Sequence, residues 1–225
     1  MMRTSFTAFS LLLLAAAPLA AQMKNSDPDR KARGGALPSG WSGRTDSESA
    51  KLADAKFVAK SGGFQVTSGP AAIYWRNKDN ITGPFTVSAT FAQLKAPAHP
   101  EAYGLVFMGK SLVSPQQNYA YLLVRGDGKY MVNHRAGADI HKIIPWTDHA
   151  AVKKQDASGK VTNTLSVDAS RSDSLRLLVN GTQVAAIPGD HLGSTNGVVG
   201  LRVNHNLDVH VTRFAITPKK SAAAK

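Results

Sequence analysis

Leu175-Arg176-Leu177-Leu178-Val179-Asn180-Gly181-Thr182-Gln183-Val184-Ala185-Ala186-Ile187, then a loop, then Gly197-Val198-Val199-Gly200-Leu201-Arg202-Val203-Asn204-His205-Asn206-Leu207-Asp208-Val209-His210-Val211-Thr212-Arg213-Phe214-Ala215-Ile216 form the stretch on which the fold turns. Asn180-Gly181 lies between two apolar runs. Both central residues of a type I′ turn need positive φ, which Asn and Gly tolerate best, so the pair predicts a two-residue hairpin. Leu201 and Val203 alternate with Arg202 and Asn204, the pattern of a strand with one face in a core. Asn204-His205-Asn206 reads as a tight turn, with His205 and His210 pointing apart.

Upstream, short apolar runs recur about every ten residues, as in a β-sandwich or jelly roll. They include Phe64-Gln65-Val66, Ala72 to Trp75, Phe85 to Phe91, Tyr103 to Met108, Tyr119 to Arg125, Lys129 to His134, Ile140 to Trp146 and Thr164 to Val167. Gly62-Gly63, Ser68-Gly69-Pro70, Gly83-Pro84 and Gly126-Asp127-Gly128 punctuate them. Only Ser47 to Ala59 leaves room for a helical period, as one short helix or a loop. Trp41 reads as an anchor in the core or at a seam. A single all-β domain fits a chain of 225 residues that is 43% hydrophobic.

Met1 to Ala21 reads as a secretory signal: Arg3, an apolar run from Phe9 to Ala17, Pro18, then small residues. That run is too short to cross a bilayer as a helix. The expected product is a periplasmic or extracellular protein with no membrane span and no disulfide, since cysteine is absent. Residues 22–40 read as a flexible polar lead-in, 41–217 as the sandwich domain and 218–225 as a basic tail. The net charge of +12 favours anionic surfaces. No ordered basic stripe appears, so a specific nucleic-acid partner is not expected. A monomer is.

The order Gly40-Trp41, Gly63-Phe-Gln-Val, Gly83-Pro-Phe-Thr-Val-Ser-Ala, Tyr103-Gly-Leu-Val-Phe, Tyr119-Ala-Tyr-Leu-Leu-Val-Arg, Leu175-Arg-Leu-Leu-Val-Asn-Gly, Gly197-Val-Val-Gly-Leu-Arg-Val and Val209-His-Val resembles the concanavalin A-like lectin/glucanase jelly rolls. Within them it is most similar to the bacterial secreted domain of unknown function that contains the 3-keto-disaccharide hydrolases. The resemblance implies two antiparallel sheets, one bent into a concave carbohydrate-binding face. That face would draw on Ile73 to Arg76, Tyr103 to Met108, Tyr119 to Arg125 and Tyr130 to Arg135. The family also often carries a His-Gly where this chain has His205-Asn206.

Glycoside hydrolysis ordinarily uses two carboxylates at a set separation. The chain has two glutamates, Glu48 and Glu101, both in segments that read as loops. No strand alternates Glu and Asp on one face, as the glucanases do. The remaining catalytic candidates are Asp139, Asp148, His134 and His205. No HExxH, HxH or GxSxG motif occurs, and Asp168 to Asp173 is a thin version of a calcium loop. Neither metal nor cofactor is expected.

What the residues do offer is rings beside polar donors: Trp75 and Arg76; Tyr119, Tyr121 and Arg125; Tyr130, His134 and Arg135; and Trp146. Sugar rings stack on aromatic faces, and their hydroxyls meet Arg, Asn and His donors. Tyr119, Tyr121, Leu123 and Arg125 share one strand face by period two. The reading is therefore an exported carbohydrate-binding or cell-envelope-associated module without catalysis, with carbohydrate or anionic polysaccharide as its partner. A glycoside-active hydrolase or lyase of the resembled family is the alternative, and an adhesive envelope protein the third.

Overall fold

The computed structural model describes residues 27–191 and 194–219. The signal segment and the end of the basic tail lie outside them. The described residues make an all-β sandwich of two seven-stranded antiparallel sheets. The strands, in chain order, are β1 (Ser42–Thr45), β2 (Lys56–Lys60), β3 (Gly63–Thr67), β4 (Ala72–Ile81), β5 (Phe85–Gln93), β6 (Ala102–Lys110), β7 (Asn118–Arg125), β8 (Lys129–Ala136), β9 (Asp139–Asp148), β10 (Val161–Asp168), β11 (Ser174–Val179), β12 (Thr182–Pro188), β13 (Gly197–Val203) and β14 (Asp208–Pro218). The front sheet runs β1-β4-β13-β6-β7-β8-β9, and the back sheet β12-β11-β10-β5-β14-β3-β2.

Period-two alternation builds the back sheet. β5 buries Phe85, Val87, Ala89, Phe91 and Gln93 and leaves the residues between them partly exposed. From the front sheet, Tyr74, Tyr103, Leu105, Phe107, Leu122, Val124, Leu201 and Val203 meet them in one core. Asn180 and Gly181 have φ of 51° and 82°, and close the β11–β12 hairpin as predicted. In β14 the register with β5 shifts between Thr212 and Ala215, where Arg213 has φ of 53°. This bulge turns Phe214 and Ile216 toward the core.

Two sequence expectations change. The segment 47–59 holds a 3₁₀ turn at Leu52–Asp54 followed by β2, with no α-helix. The turn after β13 does not close a hairpin: β13 belongs to the front sheet and β14 to the back one. The chain changes layers there, so His205 stands at one end of the sandwich.

The polar lead-in is tied down over its described part. Arg30 donates through Nε to the Ser68 carbonyl at 2.6 Å and through its two terminal nitrogens to both Asp208 carboxylate oxygens at 3.0 and 3.1 Å. Ala32 and Gly34 donate to the carbonyls of Asp54 and Ala53 at 2.8 Å. Charged composition gave no sign of this, because the carboxylate that holds Arg30 lies 178 residues away in sequence.

Candidate functional site on the front sheet

The residues of the front sheet that point away from the core form a second apolar cluster. Ile73 and Trp75 come from β4, Ala102 and Val106 from β6, and Tyr119, Tyr121 and Leu123 from β7. Trp146 of β9 and Met131 of β8 pack at its edge. β6 and β7 are thus buried on both faces, which explains why their sequences read as nearly continuous apolar runs rather than as alternation. The connection from β6 to β7 helps cover the face. Leu112 packs into the cluster, and Arg44 donates to the carbonyls of Leu112 and Ser114.

One charged residue is sealed into this face. Arg202, outward-pointing on β13, is 5% exposed. Its guanidinium makes two parallel bonds to the Asp46 carboxylate, one of 2.7 Å, and lies 4.8 Å from the centre of the Tyr121 ring. It also donates to the Tyr119 hydroxyl at 3.4 Å. Arg135 brings Nη1 within 3.9 Å of Asp46. Asn133 donates to the Tyr121 hydroxyl at 3.2 Å. Burial alone would raise the Asp46 carboxyl, but Arg202, with Arg135 and Arg44, outweighs it and holds the group below the usual carboxylate range. The same pair holds Arg202 firmly protonated despite its burial. The Arg202 Nε and Asn133 Oδ1 are buried with no hydrogen-bond partner among the described residues.

At the other end of β7, Arg125 lies 4.3 Å from the centre of the Trp146 ring and pairs through two bonds, of 3.1 and 2.5 Å, with Asp127 in the following turn. Trp146 and Arg125 are partly exposed, whereas Trp75, Tyr119 and Tyr121 are buried.

The structure thus gathers Trp75, Tyr119, Tyr121, Arg125, Arg135 and Trp146 on one face and leaves out three other expected residues. Arg76 points to the core side of β4, over the rings of Trp41 and Phe214, and pairs with Asp79 at 2.6 Å. Tyr130 faces the back sheet, donating to the Val184 carbonyl at 2.8 Å. His134 is opposite Ala120, also on the core side, stacked on His141 and bonded to Asn118. Its pKa is lowered by burial and by the neighbouring His141. The reason is parity: Met131, Asn133 and Arg135 take the outward positions of β8, so Tyr130 and His134 cannot.

The catalytic candidates do not converge. Asp139 and Asp148 are exposed at opposite ends of the ten-residue β9, a separation of roughly 30 Å at strand rise. Asp148 pairs with Lys129. In the thin calcium loop, Asp168 pairs with Arg176 and Asp173 with Arg171. His205 does have acidic company: its Nδ1 is 3.1 Å from Asp29, and its Nε2 is 2.5 Å from Glu101. Burial raises the Glu101 carboxyl above its ordinary value, with His205 pulling the other way. Glu101 also borders a cleft of about 210 Å³ beside His99, Asp127 and Gln155.

Sequence reading missed Asp46, Arg44 and Arg202, and set Glu101 aside as a loop acid. A single arginine inside Val-Gly-Leu-Arg-Val was the available signal. It reads as a solvent-facing strand position unless the opposite face is also known to be covered.

No family model and no curated protein matches the sequence. Among solved structures, the fold is similar to the carbohydrate-binding module CBM66 from Bacillus subtilis. The TM-score is 0.57 and the identity 13%, over 80% of this chain and 96% of that one. It is also similar to a family 7 alginate lyase, A1-II′, in complex with product, with TM-score 0.50 and 10% identity over 72% of this chain and 82% of that one. At such identities the likeness is one of architecture. The chain is a concanavalin A-like jelly-roll sandwich.

Proposed function

We propose that the domain binds carbohydrate on the outer face of its front sheet, with Trp146 and Arg125 at one end and Asp46, Arg135 and Arg202 at the other. The observation that carries this reading is the polar set built into that face. A sheet surface needed only for packing would be filled more cheaply by apolar side chains than by a buried guanidinium with its own carboxylate. Trp146 offers a partly exposed ring for stacking, and Arg125, Arg135 and Asp46, the last held by the buried Arg202, offer directed partners for hydroxyls. That similar folds belong to a carbohydrate-binding module and an alginate lyase supports the same class of ligand. Export belongs to the proposal as well and rests on the sequence of Met1 to Ala21.

The test is titration calorimetry or affinity electrophoresis of the purified domain against a panel of soluble glycans. Binding weakened by Trp146→Ala, with the fold intact by circular dichroism, supports the reading. Retention of no glycan overturns it.

A second reading, a hydrolase or lyase of the 3-keto-disaccharide hydrolase kind, is favoured by one observation. The raised carboxyl of Glu101 contacts His205 and lines a cleft, an arrangement suited to proton transfer. Incubation with 3-keto sugars and release of product would distinguish it, with Glu101→Gln as the inactive control.

A further inference from the structure

We infer that the Asp46 end of the front face is a subsite for the carboxylate of an acidic sugar, so that the domain prefers uronate-bearing over neutral polysaccharide. This rests on the glycan-binding reading above and adds the class of glycan.

The charge count motivates it. Arg202 and Arg135 both lie within 3.9 Å of the Asp46 carboxylate, and Arg44 adds a third guanidinium that helps hold it ionised. One carboxylate against three guanidiniums leaves a local surplus of two positive charges. Arg202 and Asp46 satisfy each other in a parallel, two-bond pair. Arg44 spends one terminal nitrogen on the carbonyls of Leu112 and Ser114. Arg135 donates Nε to the Gly137 carbonyl at 3.0 Å, and its terminal nitrogens reach Asp46 only at 3.5 Å, to the main-chain carbonyl, and 3.9 Å, to the carboxylate. Arg135 thus has donor capacity beyond its protein contacts, in a largely covered position, 12% exposed, where charge is poorly screened. On the other side of the shared Asp46, the buried Arg202 Nε lacks a partner among the described residues.

A neutral hydroxyl gains little from a surplus of cations. A planar carboxylate matches the guanidinium fork and relieves the surplus. Lysines on a solvated surface would give general attraction to anions, whereas arginines held around a fixed carboxylate give a directed one.

The experiment uses the mature chain at physiological salt. It compares polygalacturonate with its fully methyl-esterified form, and dextran sulfate with dextran. Arg135→Gln is the test variant, Arg135→Lys keeps the charge without the fork, and Lys160→Gln, in the loop before β10, controls for total charge. A hydrogen-bonded ion pair gained with the carboxylate should tighten binding to polygalacturonate over the ester by about tenfold. Arg135→Gln should erase that preference, so that the variant binds acid and ester equally. Arg135→Lys should fall between, and Lys160→Gln should match the parent.

Equal binding of acid and ester overturns the inference and leaves glycan binding standing. Binding of none of the four polymers overturns the inference too, and glycan binding falls with it when the wider panel is also not retained. A stronger preference for the sulfated polymer overturns the carboxylate assignment. A preference that survives Arg135→Gln, or falls equally in Lys160→Gln, overturns the location.

Discussion

Asp46→Asn should destabilise the domain more than Arg202→Met, although each breaks the same pair. The two partners are unequally buried: the side chain of Arg202 is 7% exposed and that of Asp46 28%. A guanidinium cannot shed its proton at accessible pH, so Asp46→Asn strands a charge in a covered face. Removing one partner of a buried pair costs about 3–5 kcal/mol. The Tyr121 ring 4.8 Å away and the Tyr119 hydroxyl still receive the cation, which puts the expected loss near the low end, about 3 kcal/mol. Arg202→Met keeps most of the stem volume and leaves Asp46 to water and Arg135, so about 1–2 kcal/mol is expected.

Urea unfolding with a common slope measures both losses. The acid limb gives a second check. Asp46 in the folded chain ionises below its ordinary value of 3.8. Its contribution is therefore complete above that value and disappears as pH falls through the folded value. Parent and Asp46→Asn should differ at neutral pH and converge only below about pH 3.8. If Arg202→Met is the worse variant, or the gap between parent and Asp46→Asn stays flat into strong acid, the burial argument is wrong.

Arg30→Ala should release the lead-in, seen as new protease cleavage near residues 27–35, with a stability loss of about 1–3 kcal/mol from its charge-assisted bonds. Asn180→Ala should cost about 2–4 kcal/mol by thermal or urea unfolding. It removes a φ-tolerant turn residue and three side-chain hydrogen bonds, to Thr164, Ala151 and Asn163. Glu101 is shifted the other way from Asp46: its folded value lies above 4.5, so the stability it contributes is present below that and is lost as pH rises through the folded value. The parent should lose ground to Glu101→Gln over that window in unfolding midpoints. Of the three tryptophans, Trp41 and Trp75 are buried and Trp146 is partly exposed. Acrylamide quenching should be largely abolished by Trp146→Ala, and a bound glycan should protect the parent. Tyr121→Ala is a poor probe of binding, because the ring supports Arg202 and its loss should lower stability first.

Local chemistry made the layers legible in the sequence. Asn180-Gly181 set a hairpin by its tolerance of positive φ, and strict alternation in Phe85 to Phe91 set a one-sided strand. Both signals act over a few residues. Strand parity along β7 also placed Tyr119, Tyr121 and Arg125 together. The same periodicity, read without knowing the β7–β8 register, put Tyr130 and His134 on the wrong side. Which residues oppose one another is decided by pairing between strands, and a shift of one residue inverts the face. Tertiary structure alone decided three further things. The front face is covered over Trp75 and Tyr121, while Trp146 at one end and Asp46 at the other stay partly exposed. Arg202 meets Asp46 from 156 residues away. His205 meets Glu101 and Asp29 because the chain changes layers at its turn. Contacts of that span carry no mark in local composition, because they arise only when two packed sheets bring distant strand ends to the same place.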